Sequence, residues 1–89
     1  MIPRKPYEAK PMIHSPRGLE VLASVSGYLI RVIRDGSQTN VRTQDPGQCL
    51  AAMITAKERN ARCLVFAIGW AYGEECLELV DDVFLLEKM

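Results

Sequence analysis

Apolar and polar residues alternate along several stretches of this chain, which is the pattern of β-strands with one buried face. The alternation is regular in residues 28–34 and 75–80 and weaker in residues 19–25. We therefore predict a strand in each of the three stretches. For residues 19–25 a short helix is the alternative, because Ser15 is a helix-capping residue and Pro16 is suited to a first helical position.

Three further elements follow from turn signals and from an apolar run. Asp35 and Gly36 tolerate the positive φ of a type I′ turn, so residues 28–34 should form a hairpin with a strand near residues 38–43. The continuous apolar run at residues 62–68 predicts a central strand covered on both faces. Asp81 and Asp82 are expected to form a turn or bulge after residues 75–80. Residues 83–86 should then form a last strand or one helical turn.

One helix start stands out in the sequence. Asp45 can accept a hydrogen bond from a free backbone amide, and Pro46 has the fixed φ that suits the first helical position. Gln48 lies where a capping box places Gln or Glu. This pattern predicts a helix that runs to about Arg59 and stops near Asn60.

The predicted fold is α+β, with a mainly antiparallel sheet of four to five strands and one helix on one face, in the order β-β-β-α-β-β. A single helix cannot cover both faces of such a sheet. The apolar residues Leu29, Ile33, Val65 and Ala67 are expected on the open face, which an N-terminal arm or a second subunit should cover. We therefore predict a homodimer whose interface includes Leu29, Ile33 and Val65.

Prolines at positions 3, 6, 11 and 16 mark residues 1–17 as a proline-rich arm, which leaves residues 18–89 as a single domain. Proline removes amide donors and favours extended neighbours. The N-terminus has basic residues but no apolar stretch behind them, and no run is long enough to span a bilayer. These features predict a cytoplasmic protein that does not bind membranes.

Charge is balanced overall but uneven along the chain. The 89 residues carry eleven basic and eleven acidic side chains. Residues 1–73 hold ten of the basic and five of the acidic ones, whereas residues 74–89 hold one basic and six acidic side chains. We call residues 74–82, which contain five carboxylates, the acidic segment. We expect it to form one pole of the surface, paired internally or facing a charged partner.

The residues that most reactions need are missing or isolated. His14, the single histidine, lies far from the three cysteines, and none of the cysteines forms a closely spaced pair. This spacing predicts free thiols, no metal site and no cofactor. Adjacent Asp81 and Asp82 would point to opposite faces of a strand, so they do not form a carboxylate pair. We predict a protein that is not an enzyme.

Basic and aromatic residues suggest a second hypothesis, that the protein binds nucleic acid. The candidates for phosphate contacts and base stacking are Arg31, Arg34, Arg42, Arg59 and Arg62, with Tyr28, Trp70 and Tyr72. The predicted order of three strands followed by a helix is similar to that of the double-stranded-RNA-binding domain. That family begins its last helix with a run of lysines, and this helix has no lysine before Lys57. A small nucleic-acid-binding regulator is therefore the alternative rather than the first hypothesis.

From residue 28 to residue 89 the chain resembles small phage anti-CRISPR proteins that inhibit type I surveillance complexes. The matching features are a strand from Tyr28 to Arg34-Asp35-Gly36, then Arg42, then Asp45-Pro46-Gly47 before a helix with Ala51, Ala52, Met53 and Ala56, and a Lys88-Met89 end. The chain is also similar to HicB-like antitoxins, which have a hairpin followed by a helix. The first resemblance implies a stoichiometric inhibitor of a larger protein or ribonucleoprotein complex, acting in the host cytoplasm.

Such inhibitors often occupy a DNA-binding surface with acidic groups. We therefore predict that the partner contacts the acidic segment and the nearby aromatic pair, namely Glu74, Glu75, Glu78, Asp81, Asp82, Trp70 and Tyr72. An open apolar sheet face, exposed aromatic residues and polarised charge all favour a protein that works by binding another protein.

Overall fold

A computed structural model describes residues 12–89, which form three helices and a four-stranded antiparallel sheet. The elements are α1 (Pro16–Ala23), β1 (Gly27–Arg34), β2 (Ser37–Thr43), α2 (Pro46–Glu58), β3 (Arg62–Ala71), β4 (Glu74–Val80) and α3 (Asp82–Glu87). The strands lie in the order β2-β1-β3-β4. The α+β class and the antiparallel sheet are confirmed. The predicted proline-rich arm lies largely outside the described residues.

The strand predicted over residues 19–25 is wrong, because this part of the chain belongs to α1. The Ser15 hydroxyl accepts a hydrogen bond from the Gly18 amide at 3.1 Å, and Pro16 occupies the first helical turn. Val21 is fully buried against β3 and β4. The alternative of a capped helix is therefore confirmed, and residues 16 and 17 form the first turn of that helix.

The end of the chain is also helical. The Asp81 carboxylate accepts a hydrogen bond from the Phe84 amide at 2.9 Å, which caps α3 and stops β4 at Val80. Leu85 of α3 is fully buried. The predicted order is therefore wrong at its beginning, where the chain has a helix instead of a strand. At the end of the chain the alternative of a helical turn over residues 83–86 agrees with α3. Three helices rather than one pack on the sheet.

Both hairpin turns use consecutive residues with positive φ. Asp35 and Gly36 have φ of 50° and 80°, and β1 pairs with β2 from Arg34↔Ser37 onward, which confirms the predicted hairpin. Tyr72 and Gly73 have φ of 53° and 81° and connect β3 to β4 in the same way. The central strand therefore continues three residues beyond its predicted end.

Helix α2 begins as predicted, but Gln48 acts differently. The Asp45 carboxylate accepts a hydrogen bond from the Gly47 amide at 2.9 Å. The Asp45 amide does not bond to Gln48 directly. It donates to the Thr43 hydroxyl at 3.1 Å, and that hydroxyl donates to the Gln48 side-chain oxygen at 2.6 Å. The capping box is thus completed through Thr43, which lies at the end of β2.

All three helices pack on one face of the sheet, which we call the covered face. Its core contains Tyr28, Ile30, Val65, Ala67 and Val80 from the strands, with Cys49 of α2 and Leu85 of α3. Ile30 pairs with Val65, and Leu29 pairs with Phe66. Because neighbouring residues of a strand point to opposite faces, Val65 cannot share a face with Leu29.

The predicted grouping of Val65 and Ala67 with Leu29 and Ile33 is therefore wrong. Val65 is 1% exposed and Ala67 is fully buried under the helices, so Val65 is not available to the predicted dimer interface. The prediction that the helices or other elements cover β3 on both faces is also wrong, because every second residue of this strand faces away from the helices.

Helix α1 lies very close to the sheet at Gly69. A Cβ atom at this position would collide with the Val21 backbone carbonyl, and it would lie 3.0 Å from the Ser24 hydroxyl. The same hydroxyl accepts a hydrogen bond from the Trp70 amide at 2.9 Å. The absence of a side chain at Gly69 therefore allows the end of α1 to bind the end of β3.

We expect Gly69→Ala to lower the free energy of unfolding by about 3 kcal/mol, because the added methyl group meets rigid backbone rather than a movable side chain. Urea denaturation measures this change. Gly73→Ala is the matched control: it has open space around it but a φ of 81°, so about 1 kcal/mol is expected. Equal losses in the two variants would contradict the close approach of α1.

Replacing Asp45 with alanine removes the cap of α2 and should cost about 1 kcal/mol of stability. Asp45→Asn should cost much less, because the asparagine side-chain oxygen can accept the same hydrogen bond. Thermal unfolding followed by circular dichroism compares the two variants. An unchanged melting temperature in Asp45→Ala would show that this carboxylate does not stabilise the helix.

Candidate functional site

The sheet face opposite the helices is apolar along its middle, and we call it the open face. Its apolar residues are Leu29, Ile33, Leu64, Phe66, Ile68, Trp70, Leu77 and Leu79. Trp70 is 54% exposed, Leu77 40% and Leu79 38%. No element within residues 12–89 packs on this face, so it is the candidate functional site.

The strand register aligns these side chains across the sheet. Leu29 of β1 pairs with Phe66 of β3, which pairs in turn with Leu79 of β4. Next to this row, Ile68 pairs with Leu77. Directly opposed side chains on one face contact each other, so the residues form a continuous apolar stripe across three strands. Ile68 is only 3% exposed and Leu29 and Phe66 are half-buried, so Trp70, Leu77 and Leu79 supply most of the exposed apolar surface of this face. Exposed apolar surface grouped on one face marks an interaction site.

The basic residues of the open face are largely engaged within the chain. Arg31 donates a hydrogen bond to the Asn40 side-chain oxygen at 2.9 Å, and its guanidinium lies 5.1 Å from the centre of the Phe66 ring. Arg42 of β2 forms an ion pair with Glu75 of β4 at 3.3 Å. This ion pair connects the two edge strands, but it is solvent-exposed and contributes little stability.

The structure does not bring the five carboxylates of the acidic segment together on one surface. Glu75 lies on the open face, whereas Glu78 faces the helices and contacts the His14 ring nitrogen at 2.5 Å. Asp81 caps α3. Glu74 at the β3–β4 turn and Asp82 at the start of α3 are exposed. Glu78 therefore does not share a surface with Glu75, and partner binding by these residues stays a prediction.

Trp70 and Tyr72 were predicted to lie together near the partner. Trp70 belongs to β3 and lies on the open face, where it pairs with Glu75. Tyr72 belongs to the hairpin turn and is 73% exposed. The Ser24 hydroxyl bonds to both backbone groups of Trp70, which fixes this end of the strand against α1. Trp70 is therefore a rigidly supported, half-exposed aromatic residue.

Five open-face residues were missed by the sequence reasoning: Leu64, Phe66, Ile68, Leu77 and Leu79. The alternation of residues 75–80 contained the signal for the last two. Leu64 and Phe66 were obscured because β3 is apolar at nearly every position, and such a run is typical of a strand buried on both faces.

The candidate nucleic-acid residues are distributed over several surfaces. Tyr28 is buried under the helices, and burial raises the pKa of its hydroxyl above the ordinary value. Arg34 and Arg59 flank a groove between β1 and α2, away from the open face. Only Arg31, Arg42 and Arg62 share the open face with Trp70.

Two of the three thiols, Cys49 and Cys63, show no sign of activation. Burial raises the pKa of Cys49 to about 11, with the nearby Asp45 charge as the second cause, and burial also raises the pKa of Cys63. Both are therefore protonated near neutral pH, and a protonated thiol is a poor nucleophile. The Cys76 sulfur lies 3.1 Å from the Arg17 guanidinium, between β4 and α1. Within residues 12–89 no three His, Cys, Asp or Glu side chains lie close enough to hold a metal ion.

None of the helices in the described part of the chain combines the length and the apolar character that crossing a bilayer requires. Comparison of this chain with protein-family models, with curated protein sequences and with solved structures finds no match.

Proposed function

We propose that this protein is a non-catalytic binding module that recognises another protein through the open face of its sheet. The observation that carries the proposal is the apolar stripe of Leu29, Phe66 and Leu79, with the half-exposed Trp70 further along β3 on the same face. Protein–protein interfaces are apolar at their centre and enriched in tryptophan, with polar residues at the rim. Arg62 supplies a rim residue, and the Arg42–Glu75 pair crosses the same face between the two edge strands.

A protein partner fits this surface better than a nucleic acid. Single-stranded nucleic acids need free aromatic faces for stacking and several free cations for phosphates. On the open face the Arg31 guanidinium covers the Phe66 ring, and Arg42 is paired with Glu75. Among residues 12–89, the open face keeps Trp70 as one stacking surface and Arg62 as one cation without an ion-pair partner, which is a poor match for a chain of phosphates.

The partner class comes from the sequence resemblance to phage anti-CRISPR proteins. A type I surveillance complex is therefore the first partner to test, with the chain acting as a stoichiometric inhibitor. In this proposal the open face makes the central contact. Glu75, which pairs with Trp70 on the open face, contributes from the rim, and Glu74 precedes it at the β3–β4 hairpin. Asp82 lies away from the contact, because it belongs to the helical side of the molecule.

Trp70→Ala should weaken binding to an immobilised type I surveillance complex by about thirtyfold, the effect of losing about 2 kcal/mol from a central aromatic contact. Val41→Ala is the matched control, because Val41 is 45% exposed on the opposite face of β2 and should leave the affinity unchanged. Biolayer interferometry measures both. Equal affinities for the two variants, or no binding of the unmodified chain, would contradict the proposal.

The double variant Glu74→Lys/Glu75→Lys separates the apolar contact from an acidic one and leaves the α2–α3 groove unchanged. We expect its affinity for the complex to stay within about threefold of the unmodified chain, because rim charges contribute little to affinity. Complete loss of binding in a folded double variant would place recognition on the acidic segment instead.

The alternative of a nucleic-acid-binding or antitoxin-like regulator has its own measurement. Fluorescence anisotropy with labelled single-stranded and double-stranded RNA and DNA should show no binding to this protein near physiological salt concentration. Salt-dependent binding that weakens in Arg62→Gln would favour the regulator and contradict the proposal.

A further inference from the structure

A second apolar surface lies on the helical side of the molecule, away from the open face. A groove of about 440 Å³ runs between α2 and α3 and is lined by Leu50, Met53, Ile54, Lys57, Asp82 and Leu86. Ile54 is 61% exposed and Leu86 is 58% exposed. We call this surface the α2–α3 groove. It is independent of the surface used in the proposed function.

Helix α2 has more apolar surface than the sheet alone can bury. Its buried residues are Cys49 and Ala56, which face the sheet. Leu50, Met53 and Ile54 recur at the spacing of a second helical face, which forms one side of the groove. The short helix α3 covers only part of this face, because Ile54 remains mostly exposed. This second face of α2 therefore resembles a helix surface that packs against another element.

The two charged residues of the groove lie on opposite sides of it and at the same end. Met89, which follows α3, lies against Gly47 at the beginning of α2, so the two helices run in opposite directions. Asp82 at the start of α3 therefore lies at the same end as Lys57, near the end of α2. Among the described residues neither of them forms an ion pair within the chain.

We infer that the α2–α3 groove binds a second copy of this chain. A two-fold axis along the groove places α2 of each copy on α3 of the other. The rotation exchanges the two sides of the groove, so Lys57 of each copy faces Asp82 of the other copy, while Ile54 and Leu86 fill the apolar middle. A two-fold interface requires a surface that is complementary to itself, and one cation and one anion on opposite sides of an apolar groove meet that requirement.

The interface of this dimer differs from the one predicted from the sequence, which included Leu29 and Ile33. It leaves the open face free in both copies. The two open faces then point away from the dimer axis, so the dimer presents two equivalent binding surfaces to its partners. Failure of the open-face proposal would not affect the α2–α3 dimer, since the two surfaces share no residues.

Complementary charge variants test the dimer in a way that contacts within one chain cannot imitate. Lys57→Glu alone and Asp82→Lys alone each create two like-charge pairs per dimer, so each should weaken dimerisation at least about tenfold. In an equimolar mixture of the two variants, the introduced glutamate of one chain faces the introduced lysine of the other. The unmodified Asp82 of the first chain then faces the unmodified Lys57 of the second. The mixture should therefore form heterodimers, which native mass spectrometry detects as a species of intermediate mass.

Ile54→Asp and Leu29→Asp form a matched pair of single variants for sedimentation equilibrium at up to about 100 µM chain. Ile54→Asp should be monomeric, and Leu29→Asp should remain a dimer. Circular dichroism checks that both are folded. A monomeric unmodified chain, loss of the dimer in Leu29→Asp with retention in Ile54→Asp, or a mixture of charge variants that forms no heterodimer would each overturn the inference.

Discussion

Packing of the helices on the central strands is the interaction on which the other features of this protein depend. Ile30 and Val65 pair on β1 and β3 and are buried beneath α2 and α3. Once these two side chains face the helices, strand alternation directs Leu29 and Phe66 to the other side. The core and the open face are therefore two consequences of one register, and shifting that register by one residue would exchange them.

Apolar residues thus form three groups in this protein: the core, the open face of the sheet, and the α2–α3 groove. A domain of 89 residues buries a modest fraction of its surface, so apolar residues remain outside its core. The two exposed surfaces differ in their charged borders. The open face has arginines engaged by Asn40, Phe66 and Glu75, whereas the groove has Lys57 and Asp82 without ion-pair partners in the described chain. We propose that the first binds a different protein and that the second binds a second copy of this chain.

Local chemistry allowed much of the fold to be predicted. The Asp35-Gly36 turn and the Asp45 cap act through residues adjacent to them in the chain, so no knowledge of the tertiary structure was needed. The same holds for the alternation in β1 and β4. The capped helix α1 had the correct signals in Ser15 and Pro16, but its weak alternation fitted a strand equally well. Local signals were therefore sufficient where one conformation was clearly favoured.

The tertiary structure decided what depends on distant parts of the chain. Burial of Val21 against β3 selects the helix for α1, and that contact needs the missing side chain of Gly69. The covered face of β3 is decided by pairing with β1, because the strand is apolar on both sides. The carboxylates of Glu75 and Glu78 were assigned one role from sequence, yet they face opposite sides of the sheet and contact different elements. The sequence by itself determined turns, caps and strand periodicity, whereas long-range packing determined which surface is buried and which can bind a partner.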